Sequence, residues 1–525
     1  MPKLLSRFSL VSLLVSLLLC SCSPEDIPGV VTITPDSSSW TQTPFLALSP
    51  VPSATLLPLA TPLEIPGLGD ITPTSAVTPT LAVTAAAASV TRPRYLIDAN
   101  MDYASRLIDV TQEITYPNLS ADPLAELVLA VQPNLLADVF SLASVAVDGQ
   151  PVETYMLAGQ KLFVMLPAPL APGASLKLFL SYSLTLPIIE QGDPNVVRPK
   201  IFGVAERQIN LVDWYPFIVP YSGGQWVLHD PWFYGEHLVY DKADFDVTLR
   251  FKDGEDLPVV AASAPAEAVS GGARYRLENA RDFSFSLGRQ FKVVSQQMAG
   301  GVTIHSYYLG DENETAARAA LDATVKSVQT YGELFGPYPH KTLSVVQGDF
   351  NDGMEFDGLY FLAKSFYNLY DNTEKNYLVM IAAHETSHQW WFGRVANDQA
   401  AEPWLDESLA MYCELLFYEK NYPEDVAWWW SYRVDFYDPS GPVDTILYDG
   451  GGFTPYTNAT YRMGARFLRD LREQIGDETF FAFLKDYTSQ MDGKISTSGD
   501  FFQVLRAHTS EDISGLVGKY FKKQY

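Results

Sequence analysis

Between about Arg94 and Val293, apolar and polar residues alternate in short runs separated by Gly, Pro, Asn and Asp. Leu176, Leu178, Leu180, Tyr182, Leu184 and Leu186 alternate with Lys177, Phe179, Ser181, Ser183 and Thr185. In the same way Phe245, Val247, Leu249 and Phe251 alternate with Asp244, Asp246, Thr248 and Arg250. A period of two places every second side chain on one face, so each run predicts a strand with one buried side. Repeated across the region, the pattern predicts a β-sandwich or a saddle-shaped sheet. After about Ser295 the period becomes helical. Glu314 to Phe335 predicts an amphipathic helix with Ala320, Leu321, Val325 and Val328 on one side. A short strand is expected from Thr342 to Val346. A helix from Thr373 to Phe392 is expected to enter through Asn372 and Thr373, and one from Pro403 to Lys420 has Pro403 in its first turn. Further helices are expected at Tyr461 to Leu471, Glu478 to Tyr487 and Gly499 to Ala507. The expected fold class is α+β, with a β-rich domain over residues 94–293 and a mainly helical domain over 294–525.

The chain before residue 94 has neither pattern. Lys3 and Arg7 precede an uncharged, Leu-rich run from Phe8 to Leu19, 12 residues long. A membrane span needs ~20 apolar residues, so this run predicts the apolar part of an export signal. The run ends in Leu19-Cys20-Ser21-Cys22, which resembles the lipobox of bacterial lipoproteins. Small Ser21 precedes Cys22, whereas bulky Leu19 precedes Cys20; residues 1–22 are therefore expected to be a signal peptide, with Cys22 as the acylated residue. Residues 23–93 are rich in Pro, Thr, Ser and Ala and read as an extended tether.

Composition narrows the function. The 525 residues are 47% hydrophobic and 13% aromatic, which fits folded domains of enzyme size. The formal charge of −26 repels phosphate, so nucleic acid is not an expected partner. Of the 3 cysteines only Cys413 lies beyond the signal segment, so no disulfide framework is expected in the folded part. Cys413 reads as a small buried hydrophobe.

The chemistry concentrates in His384-Glu385-Thr386-Ser387-His388. Helical residues four apart share a face, so the two histidines can offer their imidazoles to one ion. A catalytic zinc takes three protein ligands and keeps an open position for water. Glu407, 19 residues after His388 on the next predicted helix, is the expected third ligand. Glu385 would then face the metal-bound water as general base. Glu414, seven residues beyond Glu407, reads either as a hydrogen-bond partner of a ligating histidine or as a surface carboxylate. Trp390 and Trp391 read as core or cleft wall, and Trp226, His229 and His237 as loop packing or cleft lining.

The stretch from His384 to Ala410, with Trp404-Leu405-Asp406-Glu407-Ser408-Leu409-Ala410, resembles the gluzincin aminopeptidases of the aminopeptidase N and leukotriene hydrolase type. That family's pattern is HExxH, eighteen residues, then Glu within WLNEGFA; this chain departs at Asp406, Ser408 and Leu409. Asp352-Gly353-Met354-Glu355-Phe356 is similar to the family's GAMEN segment. The resemblance implies an edge strand that binds the substrate backbone, close approach at Gly353, substrate contact at Met354, and Glu355 on the free α-amine. Tyr456 and Tyr461-Arg462-Met463-Gly464 are similar to the YxKG segment, with Met463 in place of Lys. The resemblance implies that Tyr461 donates to the oxyanion and that Tyr456 contacts substrate.

The expectation is therefore a thermolysin-like zinc peptidase domain, with one Zn²⁺ per chain, that removes N-terminal residues from peptides. A lipid on Cys22 would hold it to the bilayer, placing it at a bacterial cell surface or envelope with the catalytic domain outside the cytoplasm. Two alternatives keep the same motifs: a zinc endopeptidase with an open cleft, and a catalytically inactive peptide-binding adaptor.

Overall fold

The computed structural model describes residues 91–189, 200–252 and 257–525. The expected signal segment, Cys22 and the tether up to residue 90 lie outside the described residues. The described residues belong to one compact unit.

The alternating runs become strands of an eight-stranded sheet. Arg94–Asp102 sits near its middle, parallel to Ala243–Phe251 and antiparallel to Leu107–Pro117. Leu107–Pro117 in turn pairs with Ser175–Thr185. Leu176, Leu178, Leu180, Tyr182 and Leu184 are buried, as the period of two requires. Ala243–Phe251 differs. Asp246 and Thr248, expected on the solvent side, are buried as well. Asp246 accepts from the guanidinium of Arg274 on the neighbouring strand, with Arg94 and Arg276 close by, so its charge is compensated. Two four-stranded sheets complete the sandwich. Its core joins Ile97, Leu129, Leu178, Trp214, Val247 and Phe285.

A five-stranded sheet opens the second half in the spatial order Phe291–Gln297, Thr303–Leu309, Thr342–Gly348, Leu359–Ala363 and Met354–Phe356. Helix α1, Glu314–Phe335, has the predicted bounds and ends at Gly336, whose φ of 103° is unfavourable for any side chain. Its Tyr331 hydroxyl lies 3.1 Å from the Ala383 carbonyl and 2.9 Å from the Cys413 carbonyl, tying α1 to the two helices behind the site. Those are α2, Tyr377–Ser387, and α3, Trp404–Asn421.

Helix α2 is shorter than expected at both ends. Thr373 is spent in a turn, donating its N–H (3.1 Å) and hydroxyl (2.8 Å) to Asp371 Oδ1. Asn376 takes the cap instead, its side chain accepting from Leu378 N at 2.9 Å. Beyond His388 the chain folds back, with Phe392 N donating to Val395 O at 2.8 Å. The expected Tyr461–Leu471 helix begins as a π-helical turn, Asn458–Met463, and continues as α4, Gly464–Ile475. Helices also form at Asp477–Met491 and Ser498–His508. Among the described residues no helix is long and apolar enough to cross a membrane.

The two halves meet through buried charge. Arg281, from the β-rich half, donates to the carbonyls of Tyr240 (3.1 Å), Gly393 (3.2 Å), Arg394 (3.1 Å) and Lys494 (2.9 Å). Asp357, directly after the Met354–Phe356 strand, accepts from Arg281 N (2.8 Å), faces His340 Nε2 (2.7 Å) and lies 3.5 Å from Lys242 Nζ. That strand is thereby fixed against both halves.

Candidate active site

Residues 378–387 of α2 are all buried, so this helix runs through the core and not along its surface. His384 lies in its last turn. His388 caps it with helical dihedrals (φ −63°, ψ −13°), which preserves the four-residue spacing. Glu407 enters from the first turn of α3, and one donor atom each of His384, His388 and Glu407 lies within 4.8 Å of the others. Glu407 Oε2 stands 3.3 Å from His384 Nε2 and 3.7 Å from His388 Nε2, yet it is buried without a hydrogen-bond partner. Tetrahedral ligands about 2.0–2.2 Å from a zinc ion stand roughly 3.3–3.6 Å from one another. The three donors thus fit a shared ion better than they fit one another.

Each imidazole is held by its other nitrogen. His388 Nδ1 faces the Trp391 carbonyl at 3.0 Å, and His384 Nδ1 faces Glu414 Oε1 at 2.9 Å. Both contacts place the proton on Nδ1 and leave Nε2 as a ligand. Glu414 is fully buried against His384 and is therefore not a surface carboxylate. It also accepts from Trp429 Nε1 (3.0 Å), Arg433 Nε (2.9 Å) and Arg433 Nη2 (2.8 Å). Burial opposes charge on Glu414, but Arg433 and His384 outweigh it and hold the carboxyl down at about 2. Burial likewise opposes charge on His384, while Glu407 and Glu414 raise it to about 10. A cation bound at Nε2 would take the place of the proton that Glu407 otherwise favours there.

Glu385 points from α2 toward the Met354–Phe356 strand. A Cβ at Gly353 would stand 2.1 Å from Glu385 Oε1 and 2.9 Å from Ile381 Cγ2, so any side chain here would displace the Glu385 carboxylate. The strand pairs through Glu355↔Tyr360 on one side and is the last of its sheet, leaving its other edge unpaired. Glu355 is buried, and its Oε1 accepts from Gln399 Nε2 at 3.3 Å; the same nitrogen lies 3.1 Å from Asp406 Oδ2. Burial and the charges of Glu236, Glu385 and Glu407 push Glu355 well above the usual carboxylate range. Burial does the same to Glu385, with Glu407, Asp352 and Glu236 adding to it and His384 opposing.

Tyr461 lies on the π-helical turn with its ring almost parallel to the His384 imidazole (6°, centroids 6.2 Å apart). Ser408 fixes that turn, its Oγ donating to Thr460 O at 2.5 Å. A side chain at Gly464 would collide with Ser408 at 1.9 Å, so α3 and the turn pass in near contact. Burial and Glu407 raise the Tyr461 hydroxyl well above its ordinary value. Tyr456 is placed differently from the expected substrate contact. Its ring packs against Tyr234 (5.1 Å) and Tyr461 (6.1 Å), its hydroxyl is buried, and it does not line the cavity.

His384, Glu385, His388, Glu407, Gly353, Met354, Glu355 and Tyr461 line one cavity of about 400 Å³. A second cavity of about 400 Å³ adjoins it, sharing the wall of Glu236, Met354 and Glu355 and lined chiefly by apolar residues such as Ile201, Phe202, Trp232 and Phe233. His237 lines it also, as cleft lining. His229 pairs with Asp398 (2.8 Å), Trp226 packs on Tyr221 (5.1 Å), and Trp390, Trp391 and Cys413 lie in the core. Glu236, Gln399 and Arg433 were not anticipated, and no local pattern marks them. Asp352 and Arg462 stand inside the two segments singled out in the sequence, but no role was assigned to either.

Residues 319–520 match the Peptidase family M1 domain. Aminopeptidase N of Lactobacillus delbrueckii subsp. lactis is 26% identical over 305 residues, 53% of this chain and 35% of that protein. Aminopeptidase M1-D of Oryza sativa subsp. japonica is 28% identical over 233 residues, 41% of this chain and 26% of its own length. The chain thus spans about a quarter to a third of these relatives. The M1 zinc metallopeptidase from Deinococcus radiodurans superposes with a TM-score of 0.60 at 19% identity, over 83% of this chain and 94% of that one. A mutant of it bound to a Tyr-Ser-Ala substrate gives 0.58 at 20% identity, over 83% and 96%. At that identity the likeness is one of fold.

Proposed function

We propose that the chain is a gluzincin aminopeptidase, as the match of residues 319–520 to the Peptidase family M1 domain and the likeness to aminopeptidase N support, and that it hydrolyses N-terminal residues from peptides. The cofactor is zinc, which His384, His388 and Glu407 would hold. When bound, the ion supplies positive charge at the scissile carbonyl and acidifies a water. Glu385 would take a proton from the attacking water and deliver it to the leaving amine. The Tyr461 hydroxyl donates to the carbonyl oxygen as charge develops there. The free edge of Met354–Phe356 aligns the substrate backbone, and its tight passage at Gly353 keeps that backbone beside Glu385.

The observation that carries the exopeptidase reading is Glu355, a buried carboxylate on that edge strand, with Glu236 on the same cavity wall. Negative charge on the buried Glu355 calls for a cation, and the α-ammonium of a peptide supplies one. The adjoining apolar cavity then receives the first side chain, favouring large apolar residues. The Deinococcus relative bound to Tyr-Ser-Ala supports peptides as the ligand class. Residues 91–525 with zinc should cleave Leu- and Phe-initiated peptides and lose turnover with chelator. Acetylating the N-terminus should abolish cleavage, while equal cleavage of free and acetylated peptides would make the protein an endopeptidase. Glu385→Gln should keep zinc and lose turnover, whereas His388→Ala should lose zinc; an inactive wild type with bound zinc would leave only the adaptor reading.

The proposed setting is a bacterial cell surface or envelope, with a lipid on Cys22 holding the enzyme to the bilayer. The short apolar run and Ser21-Cys22 support it. Cys22→Ala should release the protein from membranes; unchanged fractionation would refute the anchor.

A further inference from the structure

The catalytic cavity carries opposite charges on different parts of its wall. Glu236 and Glu355 stand where it meets the apolar cavity, whereas Arg433 and Arg462 line the catalytic cavity alone. Arg433 is already paired with Glu414. Among the described residues Arg462 has only neutral partners. Its Nη1 donates to Thr457 Oγ1 (3.0 Å) and Asn458 Oδ1 (2.9 Å), and its guanidinium lies 3.7 Å from the centroid of the Tyr437 ring. The side chain is 8% exposed, and Nε is buried without a hydrogen-bond partner. A guanidinium offers five N–H donors in a planar fork suited to a carboxylate, and a buried cation without a counter-charge is costly. The site ligands give it none: Glu407, Glu385 and Glu355 are occupied with the metal, the proton and the amine.

We infer that Arg462 receives the C-terminal carboxylate of a short peptide whose ammonium is held at Glu355, so that the preferred substrates are short peptides with both ends free. The inference rests on the aminopeptidase reading above and adds what recognises the other end. Arg462 follows Tyr461 on the turn held by Ser408 and Thr460. The donor to the reacting carbonyl and the anchor of the far end are therefore set by one element, and a peptide of fitting length engages both.

The test compares Leu-Gly-Gly as free acid, Leu-Gly-Gly amide, Leu-Glu-Gly amide and a leucyl fluorogenic amide that has no carboxylate. A charge-assisted pair supports a preference of about tenfold or more in kcat/KM for the free acid over its amide. In Arg462→Gln that ratio should fall to near one, and in Arg462→Lys to an intermediate value. Because the ratio is taken within each variant, a general loss of activity cancels. If Arg462→Gln does not fold, Arg462→Lys decides, a several-fold smaller ratio supporting the inference and an unchanged ratio overturning it. A wild-type ratio near one, or a ratio unchanged in Arg462→Gln, overturns the inference. A preference for Leu-Glu-Gly amide over the free tripeptide would assign the guanidinium to an acidic side chain and overturn it too. Turnover of the fluorogenic amide with no acid preference sinks this inference alone; no turnover of any of the four sinks the aminopeptidase reading with it.

Discussion

Replacing Glu414 by Gln removes one charge from the buried chain Arg433–Glu414–His384 while leaving its shape. In the native protein Glu414 accepts from His384 Nδ1 at 2.9 Å and from two Arg433 nitrogens at 2.8 and 2.9 Å. The first contact fixes the tautomer that turns Nε2 to the ion, and it makes the imidazole a stronger ligand. Loss of such a partner typically costs ~10–100-fold in metal affinity, or about 1.4–2.8 kcal/mol. The second effect falls on Arg433, whose side chain is 13% exposed and would lose its counter-charge. Removing one member of a buried pair costs ~3–5 kcal/mol, which sets the scale for Glu414→Ala; Glu414→Gln, retaining one acceptor oxygen, should lose less, about 1–3 kcal/mol. Zinc affinity measured by competition with a chelating dye isolates the first effect, and denaturant unfolding of chelator-stripped protein isolates the second. The reasoning fails if Glu414→Gln binds zinc within twofold of wild type, or if Glu414→Ala unfolds at the same denaturant concentration as wild type.

Tyr461→Phe should lower kcat by ~10²–10³ with normal zinc content, because it removes one donor aimed at charge formed during the reaction. Tyr456→Phe should do less, and the reverse order in paired kinetics would transfer the role to Tyr456. Gly353→Ala places a methyl 2.1 Å from Glu385 Oε1, so kcat should fall by about tenfold or more with zinc retained; a wild-type kcat would show that the base has room to move. Burial pushes Asp357 upward, but Lys242 and His340, with the Arg281 N–H, outweigh it and hold its carboxyl well below the usual range. A depressed carboxyl stabilises the fold fully above the unfolded value near pH 4, and the contribution is lost as pH falls below it. Asp357→Asn should therefore be less stable than wild type at pH 7, with the difference narrowing below about pH 4; a gap independent of pH would refute this.

Helix α1 was legible to the residue because a 3.6-residue pattern met Gly336 at a sharp stop. Helix α2 was not, since every side from Leu378 onward is buried and an apolar run without a face does not mark its own ends. The cap fell to Asn376 because Thr373 had a nearer partner in Asp371. The convergence of His384, His388 and Glu407 was legible because two of them share one helix turn and the third opens the next long helix. Tyr461 was readable only by resemblance: its π-helical turn inserts a residue into the helical phase, and no periodicity shows that. Glu236, Gln399 and Arg433 act from positions far apart in the chain, so only the folded arrangement brings them to the cavity.

Arg281 makes the β-rich half indispensable to the chemistry of the other. Its guanidinium satisfies the carbonyls of Gly393 and Arg394, just past His388, and its own N–H reaches Asp357 beside the edge strand. A fragment beginning at residue 294 would keep His384, His388 and Glu407, yet leave those carbonyls without the Arg281 guanidinium and that carboxylate with His340 but without Arg281 and Lys242. The peptidase half is therefore not an autonomous module. In a screen for lost activity, inactive variants should map to Arg281 and Lys242 as readily as to the metal ligands, and dissection of the enzyme has to keep both halves on one chain.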